Sequence, residues 1–395
     1  MDVPAPIHRT AALIDEQLDR ANRLFRKKVG YYKPLRVVGY RGYGTDDKIH
    51  VKGRVLADPV VESKLEDTGL RNLFNMLRRY RTDEVPGARV LVEFGDEQRE
   101  VRTDSEGYFD AVLEPDEVPR DDGLWHPVDL QLLEPRPHSR VGQTSFQFDN
   151  RAQVPQDARF GVISDVDDTI VHTGATNLLR HARVVLLNSP HTRVPFEGVG
   201  AFYRALQYDA GRRTNPIWYV SSSPWNIYEL LVEFMQVQDI PVGPLFLKDF
   251  GIDRDKFIRA GHTDYKINRI ERVLQTYPDL PFILVGDSGQ KDPEVYHSVV
   301  EKYPDQIAAV YIRDVSPARA LQVEAMARDI RCYDTDLRLV KDTVAAARHA
   351  AQQGWIDRAE LAAVRRDRRQ EEEKSPSRVW AALRKAARSV ESLIH

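Results

Sequence analysis

From Phe160 onward the chain repeats one pattern, a short apolar run followed by a longer stretch of helical periodicity. The runs are Gly161-Val162-Ile163-Ser164, Ile217-Trp218-Tyr219-Val220, Leu245-Phe246-Leu247, Phe282-Ile283-Leu284-Val285 and Ala308-Ala309-Val310-Tyr311-Ile312. An apolar run without alternation has no polar face to offer water, so as a strand it must be covered on both sides. Residues 226–236 and 264–276 supply covering helices. The pattern predicts a doubly wound α/β domain with a parallel sheet over residues 156–336, and it places ligand chemistry at the carboxyl ends of the strands.

Residues 35–155 read differently. Ile49, Val51 and Arg54-Val55-Leu56 suggest a strand, and 89–94, 100–103, 107–113, 128–133 and 144–148 suggest others. Turn signals such as Asp104-Ser105-Glu106-Gly107 separate them. Short alternating runs with turn punctuation indicate a small antiparallel β-sandwich, interrupted by a helix at 68–80. Residues 1–34 form an N-terminal region with a helix at 10–29. Residues 337–395 read as helical and charged, with 365–374 a solvated linker and 377–394 an amphipathic helix.

Composition narrows the class. A length of 395 residues is too great for one compact core. A single cysteine, Cys332, excludes an internal disulfide framework and a zinc site built on several cysteines. That points to a reducing, cytoplasmic compartment, and the first residues show no basic-then-apolar secretory pattern. No run of 18 apolar residues predicts a membrane span. The net charge of −3 argues against a strongly basic nucleic-acid binder. The total hides an asymmetry: residues 1–36 and 361–395 each carry +4, leaving −11 for the body.

The chemistry gathers at strand ends. The first apolar run ends in Asp165-Val166-Asp167-Asp168-Thr169. Adjacent carboxylates repel unless a cation sits between them, and Mg²⁺ suits few carboxylates combined with phosphate oxygens and water. Taken alone, the motif also suits an acidic turn capping a helix. The second run ends in Ser221-Ser222-Ser223-Pro224-Trp225, where a hydroxyl and backbone N–H groups suit a phosphate oxygen, or equally a helix cap. The fourth leads into Gly286-Asp287-Ser288-Gly289-Gln290-Lys291-Asp292, with Lys266 in the helical stretch before it. The histidines show no metal-ligand spacing; His172 and His262 read as polar loop residues and Trp225 as packing.

In this order the four motifs resemble the signature of the haloacid dehalogenase superfamily of phosphotransferases. Together with Tyr40-Arg41-Gly42-Tyr43-Gly44 and Val51-Lys52-Gly53-Arg54-Val55, they resemble the actin-patch-associated phosphatidate phosphatase family, whose catalytic domain is related to that of the lipins. The resemblance runs from about residue 35 to 315. It implies a Mg²⁺-dependent phosphatase acting on phosphatidate. Asp165 would be the nucleophile, forming an aspartyl-phosphate. Asp167 would be the general acid and later the base. Ser221 would hold a phosphoryl oxygen, Lys266 would neutralise charge, and Thr169 and Ser222 would lie at the substrate. The metal would take Asp165, the Asp167 carbonyl and Asp287, with Asp292 acting through water or as an orienting group.

Residues 171–216 are short for a full cap domain, which suits a large or surface-presented substrate, lipid or phosphoprotein alike. Val379, Leu383, Ala386, Val390 and Leu393 recur at helical spacing among Arg378, Arg384, Lys385 and Arg388. Such a helix either lies on an anionic membrane surface or packs onto protein. Two alternatives remain at this level: the same chemistry on a soluble phosphoester or phosphoprotein, and an inactive lipid-binding or scaffold protein.

Overall fold

The structure is a computed structural model and describes residues 35–57, 84–120, 123–135, 150–167, 169–170, 197–209, 212–248 and 262–374. The helices read at 10–29, 68–80 and 377–394, the strand read at 144–148, Asp168 and His172 lie outside these residues.

The first strands are β1 (Arg36–Gly39), β2 (Gly42–Gly44), β3 (Ile49–Leu56), β4 (Arg89–Phe94), β5 (Glu97–Arg102), β6 (Tyr108–Leu113), β7 (Trp125–Pro127), β8 (Asp129–Glu134) and β9 (Arg151–Gln153). They form two sheets. One has the order β1-β3-β2-β9-β7 with β6 also on β3, and the other is β5-β4-β8. In β4, Val90, Val92 and Phe94 are buried while the residues between them are half-buried, the period-2 signature of one covered face. They share a core with Ile49 and Val51 of β3 and with Ala111 and Leu113 of β6. The pairing is antiparallel except between β2 and β9, which run parallel. Both of those strands have three residues, too few to show a period in the sequence.

The second part contains β10 (Gly161–Asp165), α1 (Val199–Gln207), a small hairpin of β11 (Tyr208–Asp209) and β12 (Arg212–Arg213), β13 (Ile217–Pro224), α2 (Tyr228–Val237), β14 (Leu245–Lys248), α3 (His262–Thr276), β15 (Phe282–Asp287), α4 (Asp292–Lys302), β16 (Ile307–Arg313), α5 (Ala320–Asp329), β17 (Asp336–Val340), α6 (Thr343–Gln352) and α7 (Arg358–Lys374). Its parallel sheet has the order β14-β13-β10-β15-β16-β17. The chain winds outward from β10 to β14, then returns beside β10 and winds the other way. The crevice at such a reversal is where open α/β sheets bind ligands.

Successive residues of these strands enter opposite cores. Val162 and Ile283 join α1, α2 and α6 on one face, whereas Ile163 and Leu284 join α3, α4 and α5 on the other. This double burial is why the runs carry no alternation.

The sheet continues beyond the five runs read from the sequence. Asp336–Val340 is a sixth strand, on the edge, where the reading gave helix. Its alternating Leu337, Arg338 and Leu339 fit a half-covered edge rather than an apolar run. The expected linker at 365–374 is the second half of α7. Val364 is fully buried, Asp367 accepts the Ala201 N–H in the first turn of α1 at 3.1 Å, and Arg368 pairs with Asp342 at 2.8 Å. A carboxylate at a helix N-terminus satisfies an orphan donor and complements the helix dipole. Charge density alone does not reveal these three anchored positions. Among the described residues no helix is long and apolar enough to cross a membrane.

Asp342 also caps α6 by accepting the Ala345 N–H at 2.8 Å. Asp342→Ala is expected to lower the urea-unfolding free energy by about 1–2 kcal/mol with an unchanged m-value. An unaltered midpoint would contradict that role.

Candidate active site

Three adjacent strands end in polar side chains. Asp165 is the last residue of β10 and pairs with Val220, so Ser221 of β13 follows immediately beside it. On the other side β15 ends at Asp287. Position 286 must be glycine, since a Cβ there would lie 2.8 Å from both Cβ and Oδ2 of Asp292. Asp292 begins α4 and comes back under the end of β15, where its Oδ2 accepts the Asp287 N–H at 3.2 Å.

The Lys266 ammonium from α3 donates to Asp165 Oδ1 at 2.7 Å and to Asp292 Oδ1 at 2.5 Å. All three side chains are buried, as is Asp287. The Ser221 hydroxyl donates to Asp167 Oδ2 at 2.8 Å, and its oxygen accepts the Ser223 N–H at 2.9 Å. Oδ1 of Asp287 accepts the N–H groups of Gly289 and Gln290 at 2.5 and 3.0 Å. Its Oδ2 is buried with no hydrogen-bond partner among the described residues.

Charge balance dominates this cluster. Burial, then the nearby Asp292 carboxylate, pushes the Asp165 carboxyl well above the ordinary range. Burial and Asp292 push Asp287 up to about 8, opposed by the N–H groups of Gln290 and Gly289. Burial works to discharge Lys266, but Asp165 and Asp292 outweigh it and hold the ammonium above the usual lysine range. One lysine therefore faces three carboxylates, Asp165, Asp287 and Asp292, that offer oxygens within 4.8 Å of one another. This all-oxygen donor set, with an unpartnered buried oxygen on Asp287, fits a hard divalent cation. A second group, His297, Glu301 and Asp329, is a surface cluster in which a carboxylate already faces each ring nitrogen of His297.

Asp165, Asp167, Ser221, Lys266, Asp287 and Asp292 thus come together as the motifs suggested. Thr169 sits against the nucleophile candidate, its hydroxyl 3.5 Å from Asp165 Oδ2. Ser222 is half-buried beside Ser221. The Asp167 carbonyl, expected on the metal, accepts the Gln290 side-chain amide at 3.3 Å. Trp225 packs as read, stacked on Tyr40 with centroids 4.5 Å apart.

Other supporting residues were not singled out by motif. Arg319 donates to the carbonyls of Ser288 and Gln290 and pairs with Glu294, clamping the turn that presents Asp287. The Ser288 hydroxyl oxygen accepts the N–H groups of Val315 and Ser316 at 3.0 and 2.9 Å. Tyr203 hydrogen-bonds Ser164 at 2.6 Å, just behind Asp165. Lys248 closes β14 in a buried position, and burial, helped by Lys266, pushes its ammonium down to about 8. Of these, Ser288 lies within the fourth motif and Lys248 leaves a mark as the cation that ends an apolar strand; Arg319 and Tyr203 leave none.

Residues 160–314 match the family model described as phosphatidate phosphatase APP1, catalytic domain. The chain is 31% identical over 234 residues to phosphatidate phosphatase APP1 of Saccharomyces cerevisiae, covering 55% of this chain and 39% of that protein. It is 26% identical over 252 residues to an uncharacterized protein of Schizosaccharomyces pombe, covering 62% and 39% respectively. The matched region thus spans well under half the length of either curated relative. A solved structure, a carbohydrate acetylesterase from Xanthomonas citri, aligns over 69% of this chain and 66% of its own at 11% identity. Its TM-score of 0.22 is too low to bear on the fold.

Replacing Lys266 by Met leaves the buried acids without their cation. The expected loss of stability is about 3–5 kcal/mol near pH 8. Acids whose carboxyls are raised on folding favour the folded state when protonated, and that advantage fades as pH rises from about 4 towards about 8. The penalty of Lys266→Met should therefore shrink at pH 5. Denaturant titrations showing an equal penalty at both pH values would contradict the charge-balance account.

Proposed function

We propose that this chain, whose residues 160–314 belong to the phosphatidate phosphatase APP1 catalytic-domain family, is a phosphoric monoester hydrolase that releases diacylglycerol and phosphate from phosphatidate. The observation that carries the chemistry is the convergence of the buried Asp165, Ser221, Lys266 and Asp287 with the half-buried Asp167 at the winding reversal of the sheet. The lipid assignment rests on the family. On this reading the parallel sheet with its helices, from residue 156 through β17, α6 and α7, forms a haloacid dehalogenase-like domain, and residues 35–155 an accessory β-sandwich.

The mechanism follows from the side chains. Asp165 attacks phosphorus, the bond to the lipid alkoxide breaks, and an aspartyl-phosphate forms. Asp167 protonates the departing alkoxide, then takes a proton from the water that attacks the phosphoenzyme. Inorganic phosphate leaves and Asp165 is regenerated. The backbone N–H groups after Ser221 hold a phosphoryl oxygen, and the single Ser221 hydroxyl proton, given to Asp167 in the free site, turns to that oxygen when substrate binds. Lys266 orients the nucleophile and opposes the protonation that burial favours, with Asp292 holding the other side of the ammonium.

Asp165 and Asp287 would hold Mg²⁺, with Asp292 as an orienting group because both of its oxygens already accept hydrogen bonds. When bound, that cation supplies charge neutralisation for the transferred phosphoryl group. In phosphoryl transfer positioning and charge neutralisation are most of the catalysis.

Activity on phosphatidate in mixed micelles, measured beside a panel of soluble phosphomonoesters, tests the substrate. Turnover confined to the soluble compounds would remove the lipid assignment. Asp165→Asn is expected to abolish turnover, and Asp167→Asn to lower kcat by about 10²–10⁴-fold. Retained activity in Asp165→Asn, with the variant folded, would exclude it as nucleophile. Removing metal with EDTA should stop turnover and added Mg²⁺ should restore it; full activity in the chelated enzyme would reject the metal assignment.

A further inference from the structure

Between the β-rich part and the parallel sheet lies a cleft of about 970 Å³, bounded by β2 and β3 on one side and by β14 and α3 on the other. A junction between two packed units is where ligand sites are most often built, and this volume falls in their range. The cleft is closed behind by contacts that join the units, Tyr277 donating to the Gly44 carbonyl at 2.9 Å and Tyr43 packing edge-on to Phe246.

Its lining departs from the rest of the chain in charge. Arg41, Lys48, Lys52, Arg269 and Arg272 line it, against two carboxylates, Asp47 and Asp110, in a protein whose net charge is −3. Both carboxylates already have partners: Asp110 pairs with Lys52 at 3.0 Å, and Asp47 accepts the Thr45 hydroxyl. Arg269 lies over the Tyr265 ring at 5.1 Å, and Arg272 touches the Tyr43 hydroxyl. Neither arginine has an ion-pair partner among the described residues. Between the cations the wall is aromatic, with Tyr43, Trp225 and Phe246.

The cleft is tied to the reaction centre through shared elements. Arg269 and Arg272 follow Lys266 by about one and two turns of α3, and Trp225 lies four residues after Ser221. Arginine forks match phosphate oxygens, and Trp and Tyr suit the boundary between water and apolar matter.

We propose that this cleft is a second, non-catalytic site that holds the phosphate headgroup of an anionic lipid, with Arg269 and Arg272 as its anion-binding pair. It seats the protein on the lipid surface that presents the substrate, and so deepens the reading of the substrate as a lipid. Lys48 and Lys52 are paired with Glu114 and Asp110, so the arginine pair is what fits an anion, and the aromatic wall beside it favours a lipid over a free phosphate compound.

The test uses the full chain and vesicles of phosphatidylcholine with or without phosphatidylglycerol, a phosphodiester that lacks the monoester to be hydrolysed. Sedimentation should show binding that depends on phosphatidylglycerol and falls about tenfold or more in R269Q/R272Q. R272E should fall at least as far as R272Q, and both should keep wild-type thermal unfolding and wild-type turnover of a soluble phosphomonoester. Unchanged vesicle binding in R269Q/R272Q would overturn the proposal. Inorganic phosphate that saturates the arginine pair, with no vesicle preference, would overturn the lipid as its source. If phosphatidate is not hydrolysed but vesicle binding still requires both arginines, the proposed substrate fails and the cleft stands. Phosphatidate turnover with binding indifferent to the arginines gives the reverse.

Discussion

The Lys266 ammonium bridges two buried carboxylates, Asp165 and Asp292, and opposes the rise that burial imposes on the Asp165 carboxyl. An ionised carboxylate in an apolar sheet needs such a partner, because burial without it raises the carboxyl and favours loss of the charge. The rest of the parallel-sheet half is arranged to make that contact. Asp165 and Lys266 are separated by 101 residues in the chain, and Lys266 and Asp292 by 26. They meet because β10 is central, because α3 precedes the strand returning beside it, and because α4 begins under that strand. The winding reversal is therefore the structural condition for the ion cluster.

Much of this was legible in the sequence, for physical reasons that differ by element. Five strands of the parallel sheet could be read because double burial keeps their centres apolar and leaves polar residues to their ends. The sixth, Asp336–Val340, could not, since an edge strand keeps Arg338 at its centre. In the β-rich half, six-residue strands such as β4 showed their period, whereas β2 and β9 were too short and their parallel pairing depends on distant residues. Among site residues, the acids and hydroxyls announced themselves by sitting at strand ends. Arg319 and Tyr203 did not, because their contribution lies only in the contacts they make across the fold. The anchoring of α7 through Asp367 is of the same kind.

The two halves meet through specific polar and aromatic contacts. Arg36 pairs with Glu229 at 2.5 Å, the Arg41 N–H donates to the Tyr228 hydroxyl at 2.9 Å, and Arg54 donates to Asn226 at 3.0 Å. All three reach the segment 226–229, immediately after the strand end that carries Ser221. The β-rich half thereby braces the loop proposed to hold the phosphate, and in doing so forms one wall of the basic cleft. The −11 charge of the chain's body is thus not spread evenly. Acids collect where a cation offsets them, and cations collect one helix face away.

The proposed reaction stands or falls on a covalent bond to Asp165. Acid quenching of the enzyme during turnover of phosphatidate, followed by borohydride reduction and peptide mass spectrometry, reads that bond directly, because an acyl phosphate is reduced to the alcohol. The account predicts conversion of Asp165 to homoserine only when substrate is present. Substrate-dependent reduction at another carboxylate, or none at any residue while turnover proceeds, would contradict it.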